Sequence, residues 1–132
     1  MDMDRYFDIP FKENGRGPDG CDCWGLVSLF YKTEYGIDLQ DMSGQYSGIR
    51  DAETIRALAE QERASWLEVN GERRPGDVVE IPLTRNHFHV GIVTPGGHIL
   101  HIEEGGHARL VPERSQRIRR RIRRAWRHRE LA

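Results

Sequence analysis

The chain has 132 residues, of which 37% are hydrophobic and 31% are charged, a balance typical of a folded protein with a polar surface. The net charge is −1, although ten arginines lie between Arg109 and Arg129, so the preceding part of the chain is acidic on balance. A chain of this charge is not expected to bind nucleic acid. No apolar run has the length of a membrane span, and the N-terminus lacks the basic and apolar regions of a signal peptide. We therefore expect a single domain, residues 1–132, that is synthesised in the cytoplasm without a signal peptide.

Helices are predicted in the first half of the chain. Residues 14–20 are a dense turn signal, and an apolar run with helical spacing follows them. We predict a helix from Cys23 to Tyr35 that ends at Gly36, then a loop over residues 37–48. A second helix is predicted for residues 51–64, because one face of this segment is apolar and the others are charged.

The second half of the chain is predicted to form a β meander. Short apolar segments alternate there with turn residues, and a hairpin turn centred on Pro95 joins two of them. The predicted strands are Trp66–Val69, Val78–Ile81, Phe88–Val93, His98–Ile102 and Ala108–Val111.

The arginine-rich tail is compatible with two structures. Ile118, Ile122 and Trp126 have helical spacing, whereas the alternation of apolar and basic residues around Trp126 indicates an edge strand dense in positive charge. We favour a short helical turn near residues 113–117, followed by a final strand.

Cys23 stands at the start of the first predicted helix, directly after Asp22, a residue type favoured at N-caps. The positive end of the helix macrodipole stabilises a thiolate there, and thiolate is the nucleophilic form. A buried structural cysteine suits the same position, and this stretch alone leaves both interpretations open. Cys21 and Cys23, separated by one residue, are poorly placed for a mutual disulfide.

Two histidines are predicted to lie near each other. A cysteine nucleophile usually needs a base, and imidazole is the usual one. A hairpin centred on Pro95 places His89 opposite His101 in an antiparallel pair, with both rings on one face. One ring would act as the base and the other would set its tautomer and orientation. His87 shares this face nearer the sheet margin, and we expect it to be solvated or to lie at the rim of a substrate site.

A zinc site is the alternative for some of these residues. Cys21, Cys23, His87 and His89 are ligand types that zinc accepts. Single-residue spacing in both pairs is unusual, however, and a strand separates the Cα atoms of His87 and His89 by about 7 Å. We therefore expect no metal and no other cofactor.

Four motifs in order resemble the NlpC/P60 family of papain-like cysteine peptidases, and more specifically its phage cell-wall peptidases and tail-tip assembly proteins. Residues 22–27 match the cysteine box of the family, residues 75–79 match its Pro-Gly-Asp motif, and residues 89–92 match its His-Val-Gly-Ile box. His101, preceded by leucine, matches the third, orienting position. The resemblance covers the chain from about Phe7 to the C-terminus.

The resemblance implies an α+β, papain-like NlpC/P60 fold, in which the helix that bears the cysteine packs on an antiparallel sheet of about five or six strands. It implies that Cys23 is the nucleophile, that His89 is the general base and that His101 orients His89. The active-site cleft would lie between the helix and the sheet.

The resemblance also suggests how the oxyanion is bound. Asp22 and Trp24 would support the start of the helix, whose backbone N–H groups would stabilise the oxyanion. Many members of the family carry a tyrosine twelve residues before the cysteine, and this chain has Phe11 there. We place Phe11 at the substrate rim.

The implied function is cysteine-dependent hydrolysis of peptidoglycan stem peptides between D-glutamate and a diamino acid, by a phage or prophage protein associated with the virion. Peptidoglycan and other phage tail proteins are the implied partners. The tail arginines would pair with the acidic stem peptide or form a solvated or docking face. The alternative is a non-catalytic tail-tip module of the same fold that binds the cell wall. Phe11 in place of tyrosine favours this alternative, and an intact set of Cys23, His89 and His101 argues against it.

Overall fold

The computed structural model describes residues 2–82 and 88–132. Its helices are α1 (Cys23–Phe30), α2 (Ala52–Gln61) and α3 (Gln116–Arg119). Its strands are β1 (Arg16–Gly17), β2 (Gly20–Cys21), β3 (Trp66–Glu68), β4 (Val78–Glu80), β5 (Val90–Thr94), β6 (His98–His101), β7 (Arg109–Pro112) and β8 (Arg124–His128). Among these helices, none has the length and apolar content needed to span a membrane.

The helix α1 begins and ends at sequence signals. Asp22 is its N-cap, and a π-helical turn, Tyr31–Tyr35, continues it. Gly36 then stops the helix with a φ of 66°, a left-handed conformation that glycine adopts without steric cost. The predicted helix from Cys23 to Tyr35 is therefore present, but its last turn is wider than an α-helical turn.

Six strands form one antiparallel sheet in the order β3-β8-β4-β5-β6-β7, and β1 and β2 form a separate small hairpin. The predicted α+β class is confirmed, and so is the meander for β4 to β7. The prediction that the tail forms an edge strand is wrong, because β8 lies between β3 and β4. Its alternating basic side chains do not mark an edge here: Ala125 is buried in the core, and Arg127 binds a buried carboxylate, Asp77.

The sheet separates two apolar layers, because strand residues alternate between its faces. Residues of α1 pack on one face, against Val78, Ile92 and Leu100 among others. The short helix α3 places Ile118 on the other face, where it packs in a smaller cluster. This second cluster contains Val79, Ile81, Val93, Ile99 and Ala125.

The turn between β5 and β6 differs by one residue from the prediction. Thr94 pairs with His98, so the loop is centred on Gly96 and not on Pro95. Gly96 and the residue after it have φ values of 90° and 79°, which glycine tolerates. This change shifts the register by two residues, so Gly91 and not His89 lies opposite His101. Because the shift is even, His89 and His101 stay on the same face as a diagonal pair.

Candidate active site

Asp22 anchors the start of α1 with a buried carboxylate. The carboxylate accepts hydrogen bonds from the backbone N–H of Gly25 at 2.8 Å and of Asn14 at 3.1 Å. It also binds the Arg16 guanidinium at 2.9 Å and accepts a hydrogen bond from the Tyr46 hydroxyl. These contacts satisfy both carboxylate oxygens, so the first turn of the helix is held from the loop before it.

Tyr46 and Arg16 complete this network, and neither was predicted from the sequence. The Arg16 guanidinium donates to the Tyr46 hydroxyl at 2.7 Å. Burial, followed by the adjacent Asp22, raises the pKa of Tyr46, so its hydroxyl stays protonated and donates to the carboxylate. Tyr46 therefore supports the N-cap.

The Cys23 side chain occupies a gap beside the first residues of β5. The His89 carbonyl bonds to the Ile81 N–H in the direction of β4. The backbone groups of the flanking residues therefore point to the other side of the strand. The Cys23 thiol donates there to the Phe88 carbonyl at 3.6 Å, and the sulfur accepts from the Val90 N–H. The sulfur is thus bound by the two residues that flank His89.

Burial controls the protonation of this thiol. Cys23 is 1% exposed, and burial, together with the nearby Asp22 carboxylate, raises its pKa to about 12. Hydrogen bonds from the backbone of Val90 and Trp24 act in the opposite direction and are outweighed. The raised pKa acts against the thiolate that the helix position favours in the sequence, and a base is therefore needed to take the proton.

The two histidines meet on the sheet. The Nε2 atom of His89 lies 3.0 Å from the Nδ1 atom of His101, and the rings are nearly perpendicular at 74°. Both side chains are buried, at 3% and 1% exposure. Burial lowers the pKa of His101 to about 4, so this ring is neutral at physiological pH. The structure therefore pairs His101 with His89, the residue between the two backbone groups that bond to the Cys23 thiol.

The other residues predicted for the site are Trp24, Phe11 and His87. Trp24 follows the nucleophile candidate, and its Nε1 donates to the Gln40 carbonyl at 2.9 Å. Phe11 is half-buried, and its backbone pairs with Cys21 and Gly106. His87 lies outside the residues that the structure describes.

The predicted zinc alternative is not supported by the cysteines. The Cys21 thiol is buried and donates to the Gly17 carbonyl at 3.1 Å. Within residues 2–82 and 88–132, the one group of three potential ligands is His89, His101 and Glu103, whose ligand atoms lie within 4.8 Å of one another. Glu103 was missed from the sequence, although its two-residue spacing from His101 is a signal that could have identified it.

A groove of about 810 Å³ adjoins the site. Trp24, Phe88 and Val90 line it next to the thiol, and Trp66 and Trp126 line it farther away, so all three tryptophans of the chain contribute. The groove is also lined by charged residues, namely Arg56, Arg63, Arg123, Arg124, Glu60, Glu62 and Glu80.

Two guanidiniums flank one tryptophan in this groove. The Arg63 and Arg124 guanidinium carbons lie 4.8 and 5.9 Å from the Trp126 ring centroid, within the range of cation–π contact. The Trp126 Nε1 donates to Glu80 at 2.8 Å, which fixes the ring. Within the described part of the chain, Arg124 has no carboxylate partner, so its charge is available to a ligand.

Several solved structures have a similar fold. The NlpC/p60 domain of the peptidoglycan hydrolase SagA has a TM-score of 0.58 at 19% identity, covering 92% of this chain and 89% of that chain. An NLP/P60 family protein of Staphylococcus aureus, described as similar to lipoprotein, has a TM-score of 0.63 at 21% identity. The match covers 96% of this chain and 39% of that protein. An NlpC/P60 family protein of Bacillus cereus has a TM-score of 0.64 at 19% identity. The match covers 96% of this chain and 37% of that protein. The chain thus spans less than half of the length of the last two proteins.

At these identities the structural likeness shows the fold alone. No significant match is found among curated proteins. The sequence profile of the NlpC/P60 family, in contrast, matches residues 8–127, which is nearly the whole chain and includes the cysteine and both histidines. The chain therefore belongs to the NlpC/P60 family.

Proposed function

We propose that this protein is a cysteine-dependent amide hydrolase that cleaves peptidoglycan stem peptides. The observation that carries the proposal is the arrangement of Cys23, His89 and His101. The sulfur lies at a helix start, against the backbone on both sides of His89, and His89 is bonded to His101 at 3.0 Å. Membership of the NlpC/P60 family and the fold shared with the peptidoglycan hydrolase SagA support the substrate class.

The proton of the thiol has one productive route. Because burial keeps Cys23 protonated, attack on the peptide carbonyl requires transfer of the proton to His89. The Nε2 of His89 faces His101, so Nδ1 is the atom that receives the proton. The resulting imidazolium then protonates the leaving amine, and water hydrolyses the thioester with His89 again acting as base.

Backbone N–H groups stabilise the oxyanion in this mechanism. At the start of α1, the N–H of Gly25 bonds to the Asp22 side chain and the N–H of Leu26 bonds to the Asp22 carbonyl. The N–H groups of Cys23 and Trp24 come before them and are the proposed oxyanion donors; the Trp24 N–H, which bonds to the Cys23 sulfur at rest, would be released to the oxyanion when the sulfur attacks. Phe11, which has no hydroxyl, takes no part in this step.

The tryptophan-lined groove is the proposed binding site for the stem peptide. It joins the thiol through Trp24 and Phe88, and its arginines complement a peptide that carries carboxylates. We assign cleavage to the bond between D-glutamate and the diamino acid, with a phage virion as the setting, on the resemblance of the cysteine and histidine boxes to phage members of the family.

A cell-wall-binding module without activity is the second candidate. Phe11 at the tyrosine position and the complete burial of the thiol favour it. The two candidates differ in one measurable property, the release of new amino and carboxyl termini from peptidoglycan.

The test is digestion of purified stem peptides, followed by mass spectrometry of the products. Three variants are compared with the wild type: Cys23→Ser, His89→Ala and, as a matched control, Cys21→Ser. We expect Cys21→Ser to retain activity, because this thiol bonds only within its own hairpin. The Cys23→Ser and His89→Ala variants should lose at least about 1,000-fold in kcat, as expected when a member of a catalytic triad is removed.

Either of two results would overturn the proposal. Cleavage that persists in Cys23→Ser would place the chemistry elsewhere. Binding of the wild type to peptidoglycan without any cleavage product would instead establish the non-catalytic module.

A further inference from the structure

One buried ring nitrogen next to the candidate nucleophile has no hydrogen-bond partner. His101 is 1% exposed and uses Nδ1 in its bond to His89. Within the described residues, its Nε2 is buried without a partner. Buried polar atoms are nearly always paired, so an orphaned nitrogen in an active site requires a physical explanation.

The number of hydrogens on the two neutral histidine rings decides whether Nε2 of His101 carries one. A neutral imidazole has one N–H and one acceptor nitrogen. For His89 to receive a proton at Nδ1, its own N–H must be at Nε2, where it donates to Nδ1 of His101. His101 must then carry its hydrogen at Nε2. The reactive tautomer therefore places a buried donor at the orphaned atom.

Glu103 offers a carboxylate acceptor close to the histidine pair. One of its carboxylate oxygens lies within 4.8 Å of a ring nitrogen of His101 and of His89. Its charge favours the protonated form of His101, in opposition to burial, which shows that the two groups interact. Arg109, which pairs with His101 in the strand register, holds the Glu103 carboxylate at 3.3 Å.

We propose that Glu103 is a positioning residue that accepts the Nε2–H of His101, directly or through one water molecule, and so selects the tautomer in which His89 can act as base. The chain of contacts then runs from Cys23 through His89 and His101 to Glu103. In the opposite tautomer, His101 donates from Nδ1 to His89, whose remaining hydrogen is on Nδ1 and blocks proton uptake. This inference rests on the proposed hydrolase function for its kinetic consequence, but the tautomer itself is measurable without any substrate.

The first experiment reads the tautomers directly in the ¹⁵N-labelled full chain, by long-range ¹H–¹⁵N correlation spectra of the histidine rings. We expect the wild type to hold His101 as the Nε2–H form. Glu103→Ala should shift the ring towards the Nδ1–H form, and Glu103→Gln should keep the Nε2–H form because an amide oxygen still accepts. Glu104→Ala is the matched control, since Glu104 forms a surface ion pair with Arg50. A wild-type Nδ1–H form, or no change in Glu103→Ala, would overturn the inference.

The second experiment measures steady-state cleavage by the same variants. Groups that orient a functional histidine typically contribute about 10- to 100-fold. We expect Glu103→Ala to lose this factor in kcat with little change in KM, and Glu103→Gln to recover most of it. Equal kcat values for Glu103→Ala and Glu104→Ala would overturn the role. If the wild type cleaves no peptide, the hydrolase function fails, and the tautomer spectra still decide the assignment of Glu103.

Discussion

At the scale of single residues, burial outweighs helix position in setting the chemistry of the site. Cys23 lies at the positive end of α1, and the sequence therefore predicted a stabilised thiolate. Removal of the thiol from water disfavours its charged form, and the neighbouring Asp22 carboxylate acts in the same direction. The same effect keeps His101 neutral. Burial thus favours the neutral forms of both the Cys23 thiol and the His101 ring.

The buried His101 makes stability depend on pH. Its pKa is lowered from an ordinary value of 6.5 to about 4. Below pH 6.5 the unfolded chain binds a proton that the folded chain excludes, so the free energy of unfolding falls between pH 6.5 and pH 4. A shift of this size corresponds to about 3 kcal/mol.

We expect His101→Asn to remove this part of the pH dependence, measured as the urea-unfolding free energy between pH 7 and pH 4. His107→Asn is the control, because His107 is exposed. His128, whose pKa is also lowered by burial, contributes to the wild-type curve, so the difference between curves is the quantity of interest. Parallel curves for the wild type and His101→Asn would contradict the prediction.

At the scale of elements, the start of α1 is held by its N-cap. Asp22 joins the helix N-terminus to the preceding loop through Asn14 and to the following loop through Tyr46. Gly36 ends the helix as the sequence predicted. The N-cap was visible in the sequence, whereas the ion pair with Arg16 was not, because it depends on how the β1–β2 hairpin folds back on the helix.

Asp22→Ala should therefore cost more than the loss of an ordinary N-cap. The cap alone accounts for about 1 kcal/mol. Among the described residues, the largely buried Arg16 would then keep the exposed Asp41 as its one carboxylate partner, so we expect a total loss of about 3 kcal/mol or more. Urea unfolding at pH 7 measures the change.

The control for Asp22→Ala is Asp38→Ala, because the Asp38 side chain is 79% exposed and its ion-pair partner, the Lys32 side chain, is 62% exposed. This control should change the unfolding free energy by less than about 0.5 kcal/mol. A similar small change for both variants would show that the Asp22 network contributes little.

At the scale of the whole molecule, the position of β8 organises the sheet and the groove. The strand inserts between β3 and β4 and places Trp126 opposite Glu68 on one side and Val78 on the other. A bidentate ion pair fixes it: the Arg127 guanidinium donates to both oxygens of the buried Asp77 at 2.9 and 2.8 Å. Asp77 belongs to the Pro-Gly-Asp motif, so this motif ties the turn before β4 to the C-terminal strand.

Replacement of Arg127 by lysine tests this connection. Lysine keeps the charge but cannot form two parallel hydrogen bonds with a carboxylate. We expect Arg127→Lys to lower the unfolding free energy by about 2 kcal/mol, since hydrogen bonds to charged groups contribute about 1.5–3 kcal/mol each. Arg121→Lys, at an exposed position, is the control and should have no measurable effect. Equal stability of the two variants would mean that the pair does not secure β8.

Local signals in the sequence were sufficient for most elements. The start of α1 at Cys23, its end at Gly36 and the strands around Val78, Val90 and His98 follow from residue spacing and turn residues. The placement of both histidines on one face followed from strand periodicity. The predicted register was wrong by two residues, and an even shift leaves each side chain on the same face. The family could also be recognised from the sequence, because each of its motifs consists of neighbouring residues.

The sequence by itself determined the class of the fold, the family and the residues Cys23, His89 and His101 as candidates for chemistry. The tertiary structure alone decided that β8 is an interior strand, that the thiol is fully buried and that Glu103 lies beside the histidine pair. The physical reason is the range of the interactions. Helix caps, turns and strand alternation depend on residues within a few positions of each other. Strand order, desolvation and the pairing of charges depend on segments that are distant in sequence and meet only when the chain has folded.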